Sequence, residues 1–289
     1  MRFLLTFIQT HRRVKQRATR YSFLVVLMLF GLFLEAYMHN FNLVYITLFF
    51  VFAIAFSAGP LGTRNIGKLE VEYEHSSRLF AKQEGRLFFR IINTSSSPAW
   101  AITLHCDDNT SYVGKVDAND TKSVSLALTP LTRGEYNAKE SYLQSYFPLS
   151  TVRFLLYIPK LPQALVYPEP RGVSLRSFLH TQKMHFGEEK DFDGLASYSG
   201  AESLSRIHWP SVAKGETAVK TFVHEQSTQE LAFDFYTAAK SDEERLSQLS
   251  LWVLSCEKSH QPFTIKMPNK LLKSKKESID AILEHLARY

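Results

Sequence analysis

Cysteine is scarce in this chain: Cys106 and Cys256 are the two in 289 residues. Neither has a CxxC partner, which excludes a zinc knuckle and a thioredoxin-type redox pair. So low a count fits a reducing compartment. A nucleophile elbow is also missing: Ser199, Ser203, Ser205 and Ser211 stand in no GxSxG, and no spacing ties one of them to His208 or His224. Those two histidines are too far apart to suggest a metal site. Gly187, Gly194, Gly200 and Gly215 are scattered, not grouped into a phosphate loop. Acidic residues are absent from the first 20 positions, whereas the whole chain carries 34 basic and 28 acidic residues, a formal charge of +6. That surplus is mild and does not by itself point to nucleic acid.

Long apolar runs are present, and they are concentrated at the front. Residues 21–38 read YSFLVVLMLFGLFLEAYM and residues 41–58 read FNLVYITLFFVFAIAFSA. Each run is about 27 Å long as a helix, at the short end of what a bilayer needs. Only His39 and Asn40 separate them, so the two form a hairpin whose ends face the same side. Arg2, Arg12, Arg13, Lys15, Arg17 and Arg20 precede the hairpin, Arg64 and Lys68 follow it, and the turn has no lysine or arginine. The positive-inside rule then places both termini and the soluble body in the cytoplasm. A cleaved signal peptide fits less well, because the first run lacks a small-x-small ending and a second span follows at once. Glu35 lies within a turn of the membrane edge, where it reaches water.

The remainder falls into two halves. From 59 to 168, short alternating runs are separated by turn clusters: Leu69–Tyr73, Arg86–Ile92, Trp100–Cys106, Ser123–Leu128 and Val152–Ile158. Period-two alternation at this spacing predicts an antiparallel β-sandwich. From 169 to 289 the period changes. Glu230–Thr237 reads as a strand with Leu231, Phe233 and Phe235 on one face. Ser241–Lys258 reads as a helix opened by a Ser241/Glu244 capping box, with Leu246, Leu249, Val253 and Cys256 on one face. A short strand over Pro262–Met267 and a last helix over Glu277–Tyr289 follow. Strand, helix, strand, helix predicts a small α/β layer with some parallel pairing. The lysine-rich run 266–276 reads as a solvated loop and helix start, drawn to anionic lipid. No aromatics interleave with its lysines, which argues against nucleic acid.

Between the halves lies FDGLASYSGAESLSRIHWPSVAKGETAVKTFVHE, residues 192–225. Within it, Tyr198-x-Gly200, Arg206-Ile207-x-Trp209 and Ala213-Lys214, then a strand closing on Glu225, resemble the signature of the domain-of-unknown-function family 58. The upstream segments Thr132–Tyr136, Ser145–Leu149 and Ala164–Pro168 resemble that family's approach to its motif, and a paired N-terminal membrane hairpin belongs to it. The chain departs from the pattern at several places. Ala201 stands for the acid after the glycine, with Glu202 as a displaced substitute. Ala196 replaces an arginine, His208 an acid, and Lys214 the final arginine. The family's C-terminal part is similar to a shortened von Willebrand A domain, whose full form binds metal through D-x-S-x-S. Here that stretch is Asp234–Ala238, with Tyr236 and Ala238 in place of the serines, so neither a metal nor a cofactor is expected.

The motif has two readings. Tyr198, Arg206, Trp209 and Glu225 form a packed latch, or Tyr198, Gly200, Glu202, Arg206, Ile207, Trp209, Lys214 and Glu225 form a docking surface. The resemblance implies a non-catalytic accessory protein of the inner membrane, partner to a MoxR-type AAA+ ATPase and a von Willebrand A-like protein in assembling or maturing other complexes. The alternatives are a membrane-associated hydrolase, and a tethered binder of anionic lipid or nucleic acid through the run 266–276.

Overall fold

The computed structural model describes residues 13–186, 192–197, 212, 218–222 and 230–289. The chain divides into two compact units, Met1–Glu169 with Ala287–Tyr289, and Pro170–Leu286.

The first unit opens with strand β1 (Val14–Ala18), followed by helices α1 (Arg20–His39) and α2 (Asn42–Ile66). Asn40, in the left-handed region at φ 51°, ends α1. Asparagine tolerates that conformation better than most residues, which suits it to a helix stop. Both helices are long and apolar enough to cross a membrane, and only 6% of either apolar window is buried. A core helix would be mostly covered, so these are not core helices. The apolar run predicted to stop at Ala58 continues as helix to Ile66. Ala58, Gly62, Thr63 and Ile66 are buried there, at a spacing that puts them on one face.

The strands then run β2 (Leu69–Ser76), β3 (Leu79–Phe80), β4 (Gly85–Asn93), β5 (Ala99–Cys106), β6 (Asn109–Val116), β7 (Thr121–Leu128), β8 (Gly134–Asn137), β9 (Ser141–Ser145), β10 (Val152–Tyr157) and β11 (Gln163–Tyr167). One antiparallel sheet has the order β1-β10-β9-β5-β6 and another β2-β4-β7; a small mixed sheet, β3-β11-β8, completes the unit. The alternation read in the sequence is visible in β4, where Leu87, Phe89 and Ile91 are fully buried and Arg86 and Arg90 face out. The inner faces of the sheets share one core that includes Phe89, Leu126, Leu104, Leu143, Phe154 and Val166. Fully burying each such side chain is worth about 1.5–3 kcal/mol.

β1 is the element that the sequence did not announce. VKQRA reads as part of a basic tail, yet it pairs antiparallel with β10, Val14 opposite Leu156 and Ala18 opposite Val152. The N-terminal segment is thus an edge strand of the sandwich before it becomes the first apolar helix.

In the second unit, α3 (Leu175–Phe186) precedes an antiparallel pair, β12 (Phe192–Ser197) and β13 (Ala218–Phe222). β14 (Leu231–Asp234), α4 (Phe235–Ala238), α5 (Asp242–Ser259), β15 (Phe263–Lys266), β16 (Leu271–Lys273) and α6 (Ile279–Arg288) follow. β14 pairs parallel with β15, and β16 pairs antiparallel with β15, so a helical crossover links two parallel strands, as the alternation of elements predicted. The Ser241/Glu244 capping box is complete. Leu246, Leu249, Val253 and Cys256 are all buried.

Two local readings change. Phe235 leaves the strand, because the Asp234 carboxylate accepts a hydrogen bond from the Tyr236 amide (2.9 Å) and starts α4. The lysine-rich run contributes a strand, β16, not a loop alone. Its apolar Leu272 is buried between the exposed Leu271 and the half-buried Lys273, and this single inward side chain of the strand gave too short a signal to read.

Candidate functional site

The eight motif residues, Tyr198, Gly200, Glu202, Arg206, Ile207, Trp209, Lys214 and Glu225, lie outside the described residues, as do Ala201, His208, His224 and the four serines considered as nucleophiles. What is described is their frame. Ser197, at the end of β12, pairs with Ala218, at the start of β13. Ala196, one of the departures, sits in β12 opposite Val219.

The best-defined polar constellation is the junction between the helical hairpin and the sandwich. Gln16 on β1 donates from Nε2 to Thr63 Oγ1 on α2 at 2.8 Å. Thr63 in turn donates to the Gly59 carbonyl at 2.9 Å. Asn65 grips the backbone of Trp100 from both sides. Its Nδ2 donates to the Trp100 carbonyl (2.9 Å) and its Oδ1 accepts from the Trp100 amide (2.8 Å). Asn65 Nδ2 also reaches Ser145 Oγ at 3.1 Å. Just before α1, Thr19 donates to the carbonyls of Ser150 (2.7 Å) and Thr151 (3.0 Å). At Gly62 the helix comes so close to β10 that an added Cβ would overlap the Phe154 ring. The absence of a side chain is what lets helix and sheet touch.

A second constellation lies at the far end of the same sheet. Tyr136 donates to Asp107 Oδ2 at 2.7 Å, and the amides of Lys139 and Glu140 donate to Oδ1 at 2.8 and 3.1 Å. Burial pushes the Asp107 carboxyl upward, but these three bonds and the Lys139 charge outweigh it and hold the group below its ordinary range. Burial, together with the bond to Asp107, raises Tyr136. Cys106 is raised by burial, and Cys256 in the other unit is raised to about 11 by the same cause. Both thiols are therefore held protonated and poorly nucleophilic. His105 stacks on Tyr142 with centroids 4.7 Å apart, and burial, assisted by the Arg153 charge, keeps it below its usual pKa.

A cleft of ≈ 520 Å³ opens beside β2 and β10, lined by Arg13, Glu70, Glu72, Tyr73, Tyr157 and Lys160 among others. Its charges are of both signs. In the second unit, Gln248 on α5 holds Val173 by two bonds, accepting from its amide (2.7 Å) and donating to its carbonyl (2.8 Å). Trp252 Nε1 donates to the same carbonyl at 2.9 Å.

The three segments upstream of the motif fall at these places. Thr132–Tyr136 carries the Asp107 partner, Ser145–Leu149 forms the turn beside Thr19, and Ala164–Pro168 contains most of β11. Sequence reasoning missed Gln16, Gly62, Thr63 and Asn65. The available signal was a pair of glycines, Gly59 and Gly62, with a polar end, Thr63 to Asn65, directly after an apolar span.

No protein-family model and no curated protein matches the chain. Among solved structures, the chain is similar to the CARDB domain of a protein from Pyrococcus furiosus, determined in solution by NMR. The two are 11% identical over 32% of this chain and 94% of that one, with a TM-score of 0.22, and a likeness of that size carries no argument about function.

Proposed function

We propose that this protein is a membrane-anchored accessory protein without catalytic activity of its own. In this reading α1 and α2 cross a bacterial inner membrane, and both termini and both units lie in the cytoplasm. The segment 198–225 docks a MoxR-type AAA+ ATPase, alongside a von Willebrand A-like protein, during assembly or maturation of other complexes. The observation that carries it is the welded junction. β1 before the hairpin and the end of α2 after it are bonded to each other and to one sheet, so the hairpin and the sandwich behave as one anchored body.

Charge supports the orientation, since Arg13, Lys15, Arg17, Arg20, Arg64 and Lys68 all stand at the sandwich end of the helices. The parallel β14–β15 pair with α5 between supports a von Willebrand A-like layer. A hydrolase gains no support from the two thiols, both raised by burial. A basic surface over 266–276 is weakened by its acids, because Lys270 pairs with Glu277 at 2.7 Å and Lys275 with Glu230 at 3.3 Å.

Crosslinking in intact cells, followed by identification of attached proteins, tests the partnership. Recovery of an AAA+ ATPase from the wild-type chain, lost on Arg206→Ala in a chain that still folds, is expected. Its absence under efficient labelling overturns the reading. A reporter fused to the carboxyl end tests the orientation and should be active in the cytoplasm.

A further inference from the structure

The rim of the sandwich that meets the hairpin carries a particular set of side chains. Arg17 on β1 and Arg153 on β10 are direct cross-strand partners, near enough to the middle of the sheet that their charges also reach Tyr157 and His105. Like charges placed opposite one another, with Cβ atoms about 5 Å apart, destabilise a sheet. Arg20 begins α1, and Arg64 lies in the last turn of α2. Among the described residues, no carboxylate forms an ion pair with any of these four. The acids at this end, Glu70, Asp117 and Asp120, belong to β2 and the β6–β7 turn, and Asp117 is paired with Lys115.

Exposed apolar groups lie at the same level. Trp100, which Asn65 fixes to the end of α2, is 43% exposed. Tyr146 and Leu149, in the β9–β10 turn that Thr19 holds, are 39% and 42% exposed. Leu61 is the last exposed large apolar residue of α2, and Asn65 follows it by four positions, about 6 Å of helix. The headgroup layer on each side of a bilayer is about 5–8 Å deep. The rim therefore falls within that layer once the helices span the membrane.

We propose that this rim is a lipid-contact surface: Trp100, Tyr146 and Leu149 enter the headgroup layer, and Arg17, Arg20, Arg64 and Arg153 bind anionic phospholipid. The inference rests on the membrane-spanning reading of α1 and α2 and is independent of any protein partner. Tryptophan and tyrosine favour the interface because one end of each ring system is apolar and the other polar. Arginines close to a negatively charged leaflet gain attraction that falls off within a Debye length. An anionic headgroup between Arg17 and Arg153 removes the repulsion that their register creates. The sandwich then lies on the membrane and does not stand away from it.

The test uses the full chain reconstituted in nanodiscs of phosphatidylcholine, with or without phosphatidylglycerol. Both native cysteines are buried, so a polarity-sensitive fluorophore goes to an introduced one, Leu149→Cys, or in the control to Leu131→Cys at the opposite end of the sandwich. We expect the label at 149 to be blue-shifted and quenched by spin-labelled lipid, more strongly by phosphatidylglycerol, while the label at 131 stays aqueous. Arg17→Gln and Arg153→Gln should each reduce the preference for phosphatidylglycerol by about fivefold. Neither should lower thermal stability in detergent, because each relieves a like-charge pair. If the chain floats with vesicles while the label at 149 matches that at 131, the surface proposal fails and the spans stand. If quenching is equal with both lipids, the arginine assignment fails. If the chain does not float at all, the membrane reading fails and takes this proposal with it.

Discussion

Gln16 and Thr63 are joined by a hydrogen bond of 2.8 Å across 47 positions of chain, so the residue leading into the helical hairpin is tied to the one leading out of it. The bond fixes the two ends side by side. Phe154, between them and the core, is 1% exposed and packs against Gly62. The strand before the hairpin and the helix after it are thereby both seated on one sheet.

Gly62→Leu should be strongly disruptive. The added side chain overlaps the buried Phe154 ring, which must shift to admit it. Overpacking of this kind costs about 1–3 kcal/mol. Thermal unfolding of the purified protein should show a lowered midpoint. Phe154→Ala in the same chain should recover part of the loss, because it empties the space that the leucine enters. Failure of the second change to help would mean that the glycine serves helix geometry, not the contact.

Asn65→Ala removes both halves of the clamp on Trp100: its carbonyl keeps the Ser145 hydroxyl at 3.0 Å, while its amide loses the Asn65 acceptor. Both lost bonds are exposed to solvent, and an ordinary hydrogen bond contributes about 0.5–1.5 kcal/mol. Limited proteolysis should then cut between α2 and β2 faster than in the wild type. Asn65→Asp keeps the acceptor and loses the donor, so its effect should be intermediate.

Asp107 links stability to pH. Its folded carboxyl is held below the unfolded value of about 3.9. A depressed acid contributes stability that is fully present above the unfolded pKa and is lost as pH falls through the folded one. Tyr136→Phe removes one of the bonds responsible. Acid unfolding of this variant, followed by circular dichroism, should therefore begin at higher pH than in the wild type. The cost at neutral pH should be about 1.5–3 kcal/mol, the range for a hydrogen bond to a charged group. An unchanged acid midpoint would show that the two backbone bonds suffice.

Gln248→Leu tests the second unit separately. It strips Val173 of two bonds, leaving only Trp252 on its carbonyl. Gly172, at φ +139°, lies against the Gln248 side chain, where a Cβ would overlap it. Loss of the glutamine should speed hydrogen exchange at the Val173 amide by more than tenfold, a change of about 1.4 kcal/mol. Amides of β4 in the first unit should be unaffected.

Much of this molecule is legible in local patterns. The apolar runs gave the two helices, period-two alternation gave β2, β4, β5, β7 and β10, and Ser241 with Glu244 gave the start of α5, because each signal is complete within a few residues. Partners far along the chain were not legible. VKQRA becomes a strand because β10 lies alongside it, and no property of those five residues encodes the meeting. Gly62 gains its meaning from Phe154, and Asp107 from Tyr136. Asp234 ends β14 by a side-chain bond that alternation does not register.

By itself, therefore, the sequence determined the apolar hairpin, the alternating strands and the capped helix, all consequences of hydrophobicity and backbone propensity acting locally. The tertiary structure alone decided that the N-terminal segment joins the sheet, that α2 runs on past its apolar span to seat against β10, and which rim of the sandwich carries arginines that, among the described residues, have no carboxylate partner, beside exposed aromatics. Those depend on register and close packing between distant segments, and such contacts exist only once the chain has folded back on itself.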